Sequence, residues 1–244
     1  MSAMLASVNS LQEALFVETF AVDVIDLKQP AQGALGALDV DSVKEIVARL
    51  NPDTLVSATV GDLPMQPEVL FDAVDAMAAT GVDYVKIGFF PGGDWSACIE
   101  RLSALAARGY ALIAVLFADT RPDLALVPAL RQAGFRGVML DTMDKQRGSL
   151  TDLMTIEQLQ EFVVLAKSQG LLTGLAGSLR RQDVSALLPL QADYLGFRGG
   201  LCQRHCRTAA LDGDRIAGIR RLLEHKTDPS SVRPEILRQQ AGIA

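Results

Sequence analysis

Short apolar or β-branched runs alternate along this chain with longer stretches whose apolar residues recur at helical spacing. The pattern predicts eight strands, at 4–8, 22–27, 55–60, 84–89, 111–117, 137–141, 172–176 and 194–197. Helical segments run between and after them, among them 40–50, 67–79, 95–108, 124–133, 156–168, 180–188 and 212–224. Gly81, Gly134 and Gly170 each follow a predicted helix and precede a strand by a few residues, where a left-handed residue ends the helix. Repeated strand-helix units with such short connections predict an α/β fold, a single-domain TIM (β/α)8 barrel over 1–225. The last residues, 226–244, are rich in Pro, Ser, Gln and charge and are expected to form a loose C-terminal tail. No Gly-x-Gly-x-x-Gly follows the first strand, which argues against a dinucleotide-binding sheet.

Composition narrows the function. The 244 residues are 49% hydrophobic and 21% charged, with a formal net charge of −6. No cluster of Lys or Arg supplies a nucleic-acid footprint or a polybasic membrane patch. No apolar stretch reaches the length of a transmembrane helix, and the N-terminus lacks the basic start and apolar block of a signal peptide. A cytoplasmic protein is expected. Three cysteines, Cys98, Cys202 and Cys206, form no paired framework and read as reduced thiols.

Barrel enzymes gather their chemistry at the C-terminal ends of the strands, so polar residues there are the candidates. Lysine is informative because it is scarce: of 23 Lys plus Arg only six are Lys, and Lys28, Lys86 and Lys145 fall at or just beyond predicted strand ends. An amine rather than mere positive charge is called for there. The period of two in a strand puts Asp26 and Lys28 on the same side, and Lys86 interrupts an apolar run where a charge must face a polar cavity. Asp141 closes the sixth strand and Lys145 follows on its loop; Ser57, Thr59, Asp62 and Asp119 add polar groups nearby. An unperturbed lysine is neutral about once in a thousand near pH 7.4, so amine chemistry requires a pKa depressed by roughly 3 units. Burial and neighbouring cations supply such a shift. The contrasting possibility is that the three lysines are ion-paired to Asp26, Asp141 and Asp144 and only hold strand ends together.

The loops after strands seven and eight of such barrels often bind phosphate. Here they carry Gly177 and Ser178, then Arg198, Gly199 and Gly200. A helix beginning near Leu179 would aim its N-terminus at the anion, and Arg198 would add a fork of donors. Cys202, His205 and Cys206 offer three ligands at tight spacing with no second cluster, so no metal and no cofactor are expected. His225 is read as sitting at a helix C-terminus with no role, and Trp95 with Phe89 and Phe90 as core or interface. An apolar patch at 89–91 hints at a homo-oligomer.

In order along the chain, DVIDLKQP at 23–30, GALG at 33–36, VSATVGD at 56–62, DYVKIG at 83–88, MLDT at 139–142, LAGS at 175–178 and GFRG at 196–199 resemble the (5-formylfuran-3-yl)methyl phosphate synthase family. The resemblance spans roughly 8–223. It implies a TIM-barrel lyase of methanofuran biosynthesis that joins two glyceraldehyde 3-phosphates, releasing one phosphate and two waters. It further implies Lys28 as the Schiff-base lysine and Lys86 as the general acid/base lysine, with Asp141 and Lys145 as the family's strand-end aspartate and loop lysine. Asp26 and Asp141 are expected to orient the lysines and shuttle protons. The partners implied are triose phosphates. Gln29 and Ala34 stand where the family has Asn and Ser. Two other readings use the same residues: a class I aldolase that stops at an aldol adduct, and a non-catalytic barrel that binds a sugar phosphate.

Overall fold

The computed structural model describes residues 2–224; the tail at 226–244 and His225 lie outside them. Eight strands, β1 (Ala3–Val8), β2 (Val24–Leu27), β3 (Leu55–Thr59), β4 (Tyr84–Phe89), β5 (Leu112–Phe117), β6 (Gly137–Asp141), β7 (Leu172–Leu175) and β8 (Tyr194–Phe197), pair in sequence order, all parallel, and β8 closes onto β1. The eight predicted strands are these eight. Around them lie α1 (Leu11–Glu18), α2 (Val40–Arg49), α3 (Pro67–Ala78), α4 (Trp95–Ala106), α5 (Val127–Gln132), α6 (Leu150–Leu153), α7 (Ile156–Ser168), α8 (Val184–Leu187) and α9 (Gly213–Glu224). Ser10, Asp39, Asp94 and Thr155 begin α1, α2, α4 and α7 by accepting an N–H of the first turn on a side-chain oxygen. Gly81, Gly134 and Gly170 adopt positive φ of 91°, 86° and 68°, as their place after a helix predicts.

The helices differ in part from the pattern-based expectation. α1 was not among the helices drawn from apolar spacing, because its outward face carries the large apolar residues Leu15 and Phe16 and blurs the period. No helix starts at Leu179: a 3-10 turn at Arg181–Asp183 leads into the single turn of α8. Membrane-spanning candidates are absent among the described residues, since no helix there is long and apolar enough.

Alternation along each strand divides the side chains between two cores. Residues such as Met4, Ile25, Val56, Val85, Leu140 and Leu195 face outward and are covered by the helices. Inward residues form a plug: Leu5, Val24, Tyr84, Ile113, Leu172 and Tyr194 surround the lower barrel axis beneath Lys86. Phe89 belongs to the outer core, edge-on to Trp95 and Phe135, so the surface patch expected at 89–91 reduces to half-buried Phe90 and exposed Pro91. Trp95 is half-buried and packs against the outer core, and its indole donates to the Phe90 carbonyl at 2.9 Å.

Register is fixed from below. Asp23, just before β2, accepts the Met4 N–H on its carboxylate at 2.7 Å and donates its own N–H to the Met4 carbonyl. Asp83 does the same for Val56 at 2.6 Å, and Asp193 for Thr173 at 2.8 Å. β2, β4 and β8 thus each clasp the first residues of the odd strand before them. Between β5 and β6 the corresponding residue is Arg136, which keeps only the backbone bond, to Leu112.

Candidate active site

At the upper end of the strands the inward positions turn from apolar to ionisable. Register aligns Ser7 of β1, Asp26 of β2 and Ser57 of β3, and Thr59 of β3 with Lys86 of β4. Asp26 is fully buried and accepts from Ser57 Oγ at 2.7 Å, Ser7 Oγ at 2.8 Å and Lys86 Nζ at 2.9 Å. Burial alone would raise its pKa, but the charges of Lys86 and Lys28 and these hydrogen bonds outweigh it and hold the carboxyl below the usual range. Lys86 is itself 2% exposed, so this is a buried ion pair with its remaining lone pairs satisfied.

A second pair forms at β6. Lys145 Nζ donates to Asp141 Oδ1 at 2.6 Å and to the Thr142 carbonyl, and Asp141 also accepts the Thr142 N–H. Burial pushes Asp141 up, yet Lys145 and Lys28 more than compensate and bring its pKa to about 2. Lys28, just past β2, is 6% exposed and, unlike Lys86 and Lys145, has no ion-pair partner among the described residues. Burial lowers its pKa from 10.5 to about 8; Asp141 and Asp26 oppose the shift, while Lys86 and Lys145 add to it. Roughly a quarter of such an amine is neutral at pH 7.5, against about one in a thousand for an ordinary lysine.

These groups open into a cavity of about 380 Å³ lined by Lys28, Lys86, Asp141 and Lys145 and by the loops after β7 and β8. Gly177, Ser178, Gly199 and Gly200 all line it. Gly177 has φ of 111°, and a Cβ there would meet Thr142 Cγ2 at 2.7 Å, so the β7 loop lies directly on the end of β6. Arg198 lines the wall but its guanidinium is committed: to both Glu13 oxygens, to the Ser7 carbonyl at 3.2 Å and to the Arg207 carbonyl at 2.8 Å. Asp62 and Asp119, read as nearby polar groups, clamp loops: Asp62 accepts the N–H groups of Ala34 and Leu35, and Asp119 those of Met143 and Asp144. Asp144 accepts from Gln146 N and pairs with no lysine among the described residues.

Sequence reasoning missed Ser7, Arg180 and Arg207. Ser7 was legible as a polar residue inside an apolar strand; the two arginines sit in irregular loops where no periodicity marks them. Cys202, His205 and Cys206 diverge: the Cys202 thiol donates to the Arg198 carbonyl, His205 meets Arg215, and Cys206 meets Thr208. Among the described residues no group of His, Cys, Asp and Glu is arranged to hold a metal ion.

Known proteins resemble this chain in fold and in sequence. Among solved structures, phosphoribosyl anthranilate isomerase from Thermotoga maritima superposes with a TM-score of 0.68 at 16% identity, covering 92% of this chain and 100% of that one. A 3-hexulose-6-phosphate synthase gives 0.66 at 18%, covering 90% and 99%; both likenesses establish the fold alone. In sequence, a Methylorubrum extorquens protein provisionally named (5-formylfuran-3-yl)methyl phosphate synthase is 42% identical over 214 residues, 88% of each chain. The (5-formylfuran-3-yl)methyl phosphate synthase of Methanopyrus kandleri is 34% identical over 212 residues, 82% of this chain and 90% of that one. That of Methanocaldococcus jannaschii is 32% identical over 211, covering 82% and 90%. The sequence model of 4-HFC-P synthase matches residues 4–220, nearly the whole barrel, and the chain belongs to the 4-HFC-P synthase family.

Proposed function

We propose that this protein is a cytoplasmic lyase that condenses two glyceraldehyde 3-phosphates into (5-formylfuran-3-yl)methyl phosphate, for a methanofuran-type cofactor, through a Schiff base on Lys28. The observation that carries the reading is the buried Lys28 amine, without an ion-pair partner among the described residues and with its pKa lowered to about 8, between two satisfied Lys–Asp pairs. Cation excess supports a phosphorylated substrate: Lys28, Arg180 and Arg207 line the cavity with no ion-pair partner among the described residues, while Lys86, Lys145 and Arg198 are paired with Asp26, Asp141 and Glu13. Family membership supports the product.

In this mechanism neutral Lys28 Nζ attacks a triose carbonyl and water leaves as the imine forms. The imine acidifies the adjacent carbon; Lys86, held in place by its hydrogen bond to Asp26, exchanges the proton. The resulting enamine carbon attacks the second aldehyde and makes the new carbon–carbon bond. Loss of one phosphate, ring closure and dehydration follow, driven by formation of the aromatic furan. Two triose phosphates less one phosphate and two waters account for every atom of the product.

The test is incubation of the purified protein with glyceraldehyde 3-phosphate alone, following furan-aldehyde absorbance and released inorganic phosphate together. Equal rises of both are expected. A borohydride-trappable adduct without furan or phosphate would point to an aldolase; no adduct would leave a binding protein.

A further inference from the structure

We propose that Arg207, rather than Arg198, is the arginine that binds a substrate phosphate, and that Arg198 with Glu13 is the pair that positions it. The inference deepens the function proposed above and rests on it for the identity of the anion.

The two arginines differ in what their donors meet. All three nitrogens of Arg198 are engaged, two of them with the Glu13 carboxylate, so its charge is neutralised inside the protein. Arg207 is half-buried in the same cavity wall and uses one nitrogen, Nη2, to donate to the Gly33 carbonyl at 2.7 Å. Among the described residues its Nε and Nη1 have no partner, and no carboxylate pairs with it. A guanidinium holds its charge under all ordinary conditions and presents its N–H groups as a planar fork. Anchored by one nitrogen, this fork keeps its other donors for an oxyanion.

The anchoring is built at both ends. Arg198 Nε holds the Arg207 carbonyl, fixing its backbone, and the Gly33 contact ties its tip to the loop after β2, which leads from Lys28. Gly33 is in turn part of a loop pinned by Asp62 through Ala34 and Leu35. Glu13 secures Arg198 from α1, the helix between β1 and β2. A donor so braced across β8, β1 and β2 loses little side-chain entropy when an anion arrives. A reaction between two phosphorylated trioses needs a second anion site besides backbone N–H groups of the β7 and β8 loops, and Arg207 supplies a charged one.

Inorganic phosphate is the probe, titrated calorimetrically into the full chain and into Arg207→Gln, Arg207→Lys and Arg198→Gln. Binding is expected to weaken at least about tenfold in Arg207→Gln, the loss of one charge-assisted fork, with the ligand-free melting temperature unchanged. Arg207→Lys should recover part of it. Arg198→Gln should weaken phosphate binding too and also lower the melting temperature, since it leaves Glu13 unpaired. The same variants are then given glyceraldehyde 3-phosphate and unphosphorylated glyceraldehyde, with borohydride trapping at Lys28. Arg207→Gln should raise the half-saturating concentration for the phosphorylated triose alone. Undiminished phosphate binding in Arg207→Gln, no phosphate binding by the parent protein, or equal effects on both trioses would overturn the assignment. Phosphate held by Arg207 in a protein that makes no furan would uphold this site while sinking the function it was read from.

Discussion

The floor and the mouth of this barrel use carboxylates in opposite ways. At the floor Asp23, Asp83 and Asp193 accept backbone N–H groups of the neighbouring strand, and their cations, Arg220 on Asp23 at 2.5 Å and Lys167 near Asp193 at 3.5 Å, stand outside the barrel wall. At the mouth Asp26 and Asp141 face inward and their partners are lysines. The floor carboxylates satisfy donors that the fold would otherwise leave bare, which stabilises it. Those at the mouth take charges out of water, and replacing such a pair with apolar residues is often neutral or better for stability. The mouth is therefore built for something other than holding strands together.

The largest effect expected from breaking this division is at Lys28. Lys28→Arg keeps the charge and removes the depressed amine, so furan formation should fall on the order of 10³-fold or more. Mass spectrometry after borohydride should find no adduct. Retained turnover would end the imine mechanism.

Next come Asp26→Asn and Lys86→Met. Each strands one buried charge and should cost about 3–5 kcal/mol in denaturant unfolding, with activity down roughly 10²–10⁴-fold. The double variant sharpens the comparison: stability should largely return while activity does not. Activity returning along with stability would make the pair a brace and nothing more.

Asp83→Ala breaks the other end. It leaves the Val56 N–H without its acceptor at 2.6 Å and should cost about 1–3 kcal/mol, several degrees in melting temperature for a domain of this size. At a temperature where the variant is folded, kcat should be that of the parent. A fall in kcat at Asp83 would mean that floor and mouth are coupled through the plug of Tyr84 and Tyr194.

How far this division was legible follows from which signals are local. Strands announce themselves by apolar runs, and period two put Asp26 with Lys28 and exposed Lys86 as a charge inside the barrel. The αβ turns were visible because a left-handed residue after a helix favours glycine. Helix α1 carried a local signal that apolar spacing hid: Ser10 caps it and Glu13, three residues on, reaches back to the Asn9 N–H at 3.0 Å. Partner choice was not legible. Nothing near position 198 in the chain says that Glu13 neutralises that arginine, because the two meet only when β8 closes onto β1. Arg207 likewise reaches Gly33, 174 residues away, through loops without period. Sequence fixes which chemistry stands at a strand end; closure of the barrel decides which of those groups remain free to act.

The smallest expected effect is a displacement along the pH axis, and its sign separates the two ends. If Lys28 must be neutral to attack, kcat/KM should rise with pH through its pKa of about 8. Asp141 raises that pKa, so Asp141→Asn should move the acid limb to lower pH, by up to about one unit. Lys145, released from its carboxylate, pushes the same way. Removal of a floor carboxylate, as in Asp83→Ala, should leave the limb in place, since Asp83 is not among the groups acting on Lys28. The same proton also bears on folding: with a folded value near 8 against 10.5 when exposed, the stability from Lys28 is complete above 10.5 and lost as pH falls to about 8. Lowering pH through this window thus weakens the fold first, and the amine is silenced around and below its lower end. A limb that stays put in Asp141→Asn, or moves upward, would show that another group sets it and that Lys28 is not the titrating nucleophile.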